Sequence, residues 1–171
     1  VNPVNVDDED GVVFLDPLIP GQSARVQVTA STNGFLNAWV DFDGSGGFDF
    51  PVDRIVANQI VLTGVNVITF TVPATATPGD TYSRFRFTTA SEGGGEPTGL
   101  APDGEVEDHV VSIIEVDLGD LPAAYAVTRM EHNGARHRLG NLYLGHVIDA
   151  ERDDKGCTIC GGDDRSDLDP G

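Results

Sequence analysis

The stretch Asp41-Phe42-Asp43-Gly44-Ser45-Gly46-Gly47-Phe48-Asp49 spaces oxygen donors along a glycine-rich loop. Counted from Asp41, acids stand at positions 1, 3 and 9, a serine at 5 and a glycine at 6, which is calcium-loop spacing. Position 12, where such a loop carries a bidentate Glu, is Val52, and residues 36–40 before the loop read as strand, not helix. The stretch is therefore not an EF-hand. It reads as a hard-cation loop at a strand end, with water completing the shell; the competing reading is a solvated acidic turn. Two more acidic segments stand nearby in the pattern: Asp7, Asp8, Glu9 and Asp10 before the first apolar run, and Glu105, Glu107 and Asp108 before the last. If strand ends bring all three segments to one pole, Asp8, Asp10, Asp41, Asp43, Asp49, Glu105, Glu107 and Asp108 form a carboxylate nest for Ca²⁺, which takes roughly six to eight oxygens. Alternatively Arg84 or Arg86 pairs with these acids. Residues 1–114 hold four Arg against sixteen acids, so pairing cannot neutralise them all.

Cys157 and Cys160 form a C-x-x-C. A structural disulfide ranks first, although so small a loop gains only about 2 kcal/mol from chain entropy. A zinc site ranks second and needs two further ligands, for which His132, His137 and His146 are the candidates. A redox dithiol ranks third, because Gly-rich acidic surroundings neither open a helix nor lower a thiol pKa. There is no G-x-S-x-G, H-E-x-x-H or phosphate-cradling loop, so no catalytic residue is assigned and the chain is read as a non-enzyme.

These residues sit in a chain of 171 with 28 acids, 10 bases and a net charge of −18. Such a surface repels nucleic acid and anionic lipid and favours cations. No apolar run reaches the roughly 18 residues of a membrane span.

The elements that must position the acids are short. GVVF, ARVQVTAS, FLNAWVDFD, NVITFTVP and TYSRFRFTTA alternate apolar and polar residues, and HVVSIIEV reads as a buried strand. Turn residues separate them, and no helical period intervenes. The pattern predicts an all-β, antiparallel β-sandwich, Ig-like or jelly-roll-like, of about seven to eight strands over residues 1–114. Leu36, Ala38, Val40 and Phe42, then Ile68, Phe70 and Val72, then Phe85 and Phe87 are the expected core. Residues 115–171 read as a loop-rich, acidic C-terminal module, a connector with a hairpin near Asn133-Gly134.

The run GEVEDH followed by VVSI resembles the GEVED domain of bacterial extracellular proteins. DDEDGVVF, LNAWVDFDGSGGF and PATATPGDTYSRFRFT resemble that family's successive segments, in order. DLGDLPAAY, NGARH, LYLG and VIDAERD resemble a module that often accompanies it. Head and tail look like two sides of one linker, which implies one repeat unit of a longer precursor. The resemblance implies a secreted or cell-surface, structural or adhesive role with Ca²⁺, and favours the cation reading of the Asp41 loop. The expected partner is another copy, joined head to tail in a chain, fibre or tube. The alternative is a glycan- or cell-surface-binding adhesin module, for which Trp39 is the lone tryptophan and Tyr82, Tyr125 and Tyr143 are scattered.

Overall fold

The computed structural model describes residues 10–91, 93–119, 134–142 and 144. Among them the chain is all-β, as two antiparallel sheets packed face to face. Strands β1 (Val12–Phe14), β2 (Ser23–Ala30) and β5 (Gly64–Thr71) form one sheet in the order β1-β2-β5. Strands β3 (Gly34–Val40), β4 (Arg54–Val61), β6 (Gly79–Thr88) and β7 (Glu105–Ile113) form the other, ordered β4-β3-β6-β7. A small ribbon of β8 (Val116–Leu118) and β9 (Arg136–Arg138) follows.

The inward faces are those that period-2 alternation selects. Ala24, Val26, Val28 and Ala30 of β2 face Leu36, Ala38 and Val40 of β3, with Ile68 and Phe70 of β5 and Phe85 of β6 between them. Each fully buried Val, Leu or Phe contributes about 1.5–3 kcal/mol of transfer free energy. Phe14 meets Phe85 edge-on at 5.9 Å and Phe70 at 6.4 Å, the geometry that aromatic quadrupoles prefer.

Two elements depart from the sequence pattern. β4 has no alternation to read: its pairing with β3 shifts register between Leu36 and Trp39, and Asn58 adopts φ 47°. A bulge breaks the period, so four consecutive residues from Ala57 face solvent. β7 is not buried throughout, as HVVSIIEV suggested. It is an edge strand, so Val111 and Ile113 enter the core while Val110 stays 65% exposed. Val116 packs on Ile19 and Ala74, seating the start of the C-terminal segment against the sandwich.

Candidate metal centre

The loop between β3 and β4 folds back on its own acids. Asp41 Oδ1 accepts from Ser45 N at 3.0 Å and its Oδ2 from Gly46 N at 2.9 Å, while Asp43 Oδ1 shares Ser45 N at 3.0 Å. Gly44 and Gly46 have φ of 69° and 83°, a left-handed conformation that side chains resist and that this tight reversal needs. The carboxylate missing at Val52 is supplied one residue later. Asp53 is fully buried, with Oδ1 accepting from Phe42 N at 3.0 Å and Oδ2 from Asp49 N at 2.6 Å. Val52 itself is half exposed.

Oxygens of Asp41, Asp43 and Asp53 lie within 4.8 Å of one another. Among the described residues no other group of three or more His, Cys, Asp or Glu side chains comes so close together. Their hydrogen-bond donors are mainly backbone N–H groups, and among the described residues no Arg or Lys is ion-paired to them. Burial pushes the Asp53 carboxyl above its ordinary value, outweighing the Phe42 and Asp49 amides, and the neighbouring Asp43 and Asp41 charges push it further. The hydroxyl and amide of Ser45 hold Asp43 below the usual range. The donor set is hard oxygen throughout, with no thiolate or imidazole, and so fits a metal of the calcium or magnesium kind. Asp49 stands at the edge of the site: Ser45 Oγ donates to it at a long 3.5 Å, and its own N–H serves Asp53. Sequence reading missed Asp53 because it counted to the twelfth position; an acid at the thirteenth, opening the next strand, was the available signal.

The pole is tied to the sheet beyond the loop. Asp41 N donates to Tyr82 O at 3.0 Å, Thr81 Oγ1 donates to Asp41 O at 2.8 Å, and Val40 N donates to Asp53 O at 2.9 Å. Ends of β3, β4 and β6 are thereby joined at this site.

The acids around residue 105 do not join them. Tyr82 pairs with Val110 and Phe87 with Glu105, so Glu105 stands five residues along the strand from the level of Asp41. At about 3.4 Å per residue that separation is about 17 Å. The expected single nest is thus divided between two poles, because β7 runs the length of the sheet. Asp103, Glu107 and Asp108 of the second pole have their own donors. Asp103 accepts from Thr88 Oγ1 at 2.6 Å, from Thr89 N at 2.9 Å and from the Thr89 hydroxyl, and the hydroxyls hold its carboxyl below the usual range. Glu107, buried between the sheets, accepts from Gly11 N at 3.0 Å and sits 3.2 Å from His109 Nε2. Asp108 faces the other way, by strand alternation, and takes a two-pronged ion pair from Arg84 at 2.6 and 2.7 Å. Asp10, next to Gly11, is exposed at this pole, as is Glu105.

Gly104 explains the first letter of that run. Its φ is 97°, and a Cβ there would stand 1.8 Å from Phe87 O. Arg86 is buried beneath the loop that follows β6, donating to carbonyls of Glu96, Thr98 and Gly99 at 2.6–2.8 Å. Arg84 also reaches Pro97 O at 2.9 Å and lies over the Phe48 ring.

His137 is exposed on β9, opposite Asp117. Asp8, His132, His146, Cys157 and Cys160 lie outside the described residues. Trp39 is 2% exposed, packed beside Phe48 with the Arg54 guanidinium 5.7 Å from its ring centroid.

Residues 35–112, which run from β3 to β7, match the family model of the GEVED domain. No curated protein and no solved structure matches the chain. Among the described residues no helix is long and apolar enough to cross a membrane.

Proposed function

We infer that this chain is a structural, non-enzymatic, calcium-stiffened unit of an extracellular surface protein, one that associates with further copies of itself. The observation that carries the reading is the gathering of Asp41, Asp43 and Asp53 within 4.8 Å, with no basic partner among the described residues. Three carboxylates so placed, two of them buried, repel one another strongly in a low-dielectric setting. A divalent cation converts that repulsion into a crosslink between the ends of β3 and β4, and through Thr81 and Tyr82 to β6. Calcium is favoured over magnesium because its shell tolerates irregular oxygen geometry, whereas magnesium demands a near-ideal octahedron. The GEVED match over β3 to β7 supports the surface-protein setting. Trp39, buried beside Phe48 and Arg54, offers no stacking platform for a sugar, which weakens the adhesin reading.

The test is a thermal melt in EDTA and again in millimolar Ca²⁺. Saturation at about 100 times Kd adds roughly 2.7 kcal/mol to the folded state, a plain rise in Tm. Asp41→Asn abolishes the rise and Asp108→Asn keeps it. An unchanged Tm in the parent protein removes calcium from the reading.

A further inference from the structure

The four outer strands of the two sheets are protected very unequally. An exposed strand edge is a row of free N–H and C=O groups, and proteins blunt it with shortness, bulges, charge or cover. β1 is three residues long. β4 is bulged and carries Asn58 at positive φ. β7 bears Glu105 and Asp108, and its far end is covered where Leu18 bridges Ile113 and accepts from Ile114 N at 2.8 Å. β5 has none of these devices. It runs eight residues, GVNVITFT, in unbroken register with β2, with no charge and no proline. Its other edge has no strand partner among the described residues.

The charge distribution says what fits there. Acids make up 28 of 171 residues, yet 17–40 and 54–79 contain none. All three strands of the β1-β2-β5 sheet are free of acids, and their one charge, Arg25, is ion-paired with Asp16 at 2.7 Å. Val65 and Val67 stand 63% and 55% exposed on the outer face of β5, and Ile60 and Leu62, just before β5 in the chain, are also exposed. Two copies of a chain at −18 repel each other everywhere except where the surface lacks acids. We propose that β5 pairs antiparallel with β5 of a second copy across a two-fold axis. The two three-stranded sheets then merge into one of six strands, β1-β2-β5-β5-β2-β1. A two-fold contact is self-complementary, so one uncharged, regular strand suffices to build it. The contact closes on itself. It goes beyond the proposed structural role by naming a lateral junction, distinct from head-to-tail growth.

Sedimentation velocity of the full chain in about 0.15 M salt, where the Debye length is about 8 Å, reads the assembly state against concentration. The expected result is a monomer–dimer equilibrium, strengthened by salt. Val67→Lys puts like charges near the axis and weakens the dimer by about tenfold or more. Val67→Thr, still β-branched, keeps it. Amide hydrogen exchange supplies the second readout: β5 amides gain protection as concentration rises, with β4 and β7 amides unchanged. A parent that stays monomeric to about 1 mM overturns the proposal, that concentration marking an association of only about 4 kcal/mol. So does an open series of oligomers, or a dimer indifferent to Val67→Lys. In those last two cases self-association, and with it the structural role, survives without the β5 junction.

Discussion

The two acidic poles of the sandwich hold their carboxylates by opposite means. Around Asp103, Glu107 and Asp108 every acid faces a donor from elsewhere in the fold: the Thr88 and Thr89 hydroxyls, the Gly11 amide with His109, and the Arg84 guanidinium. These three acids are satisfied within the fold, and they tie β7 to the start of β1 and to β6. Around Asp41, Asp43 and Asp53 the donors come mainly from the same loop, and the negative charge is concentrated, not divided. Similar acidity thus gives one pole whose acids are fastened within the fold and one whose charge stays concentrated, the pole proposed to take a cation. Density of acids in a sequence does not tell these apart; the source of their donors does.

The largest expected effect tests the fastened pole. Gly104→Ala forces a Cβ onto Phe87 O at positive φ and costs about 3 kcal/mol or more. Urea denaturation reads this loss, and it is the same in EDTA and in Ca²⁺. Restoration by calcium would break the distinction between the poles. Next, Glu107→Ala strands the Gly11 amide between the sheets at a cost of about 1–3 kcal/mol, again without calcium dependence. Glu107→Gln, which keeps an acceptor, loses less.

A pH series sharpens the contrast. Asp53 titrates above its ordinary value in the folded chain. In EDTA its contribution is therefore fully present below the unfolded value and is lost as pH rises through the folded one. Calcium competes with that proton, so the gain in Tm from calcium grows with pH through the raised value and fades below it. Asp103 has the opposite sign. Its lowered value gives stability that is present above the unfolded value and lost as pH falls through the folded one, so the deficit of Asp103→Asn narrows in acid with or without calcium. Melts of the parent and of Asp103→Asn from neutral to acid pH, with and without calcium, check both slopes. The smallest effect is Asp108→Asn. Its pair with Arg84 is half exposed and contributes about 0–1 kcal/mol in urea denaturation, less in high salt.

Much of this was legible in the chain itself. Alternation in RVQV, LNAWV, VITFTV and RFRF determined the strands and their inward faces, since a half-buried strand has no other way to divide polar from apolar groups. The spacing of Asp41, Asp43, Ser45 and Gly46 determined a loop whose amides turn onto its own acids, a local event closed within six residues. Tertiary structure alone decided the rest. The bulge at Asn58 erased the period of β4. Asp53 became a member of the cluster through the return of the chain into β4. The length of β7 set Glu105 and Asp41 about 17 Å apart, which no composition of either segment reveals. Whether an acid finds a threonine, an arginine or only other acids is settled by cross-strand register, and register is a property of the paired sheet, not of either strand alone.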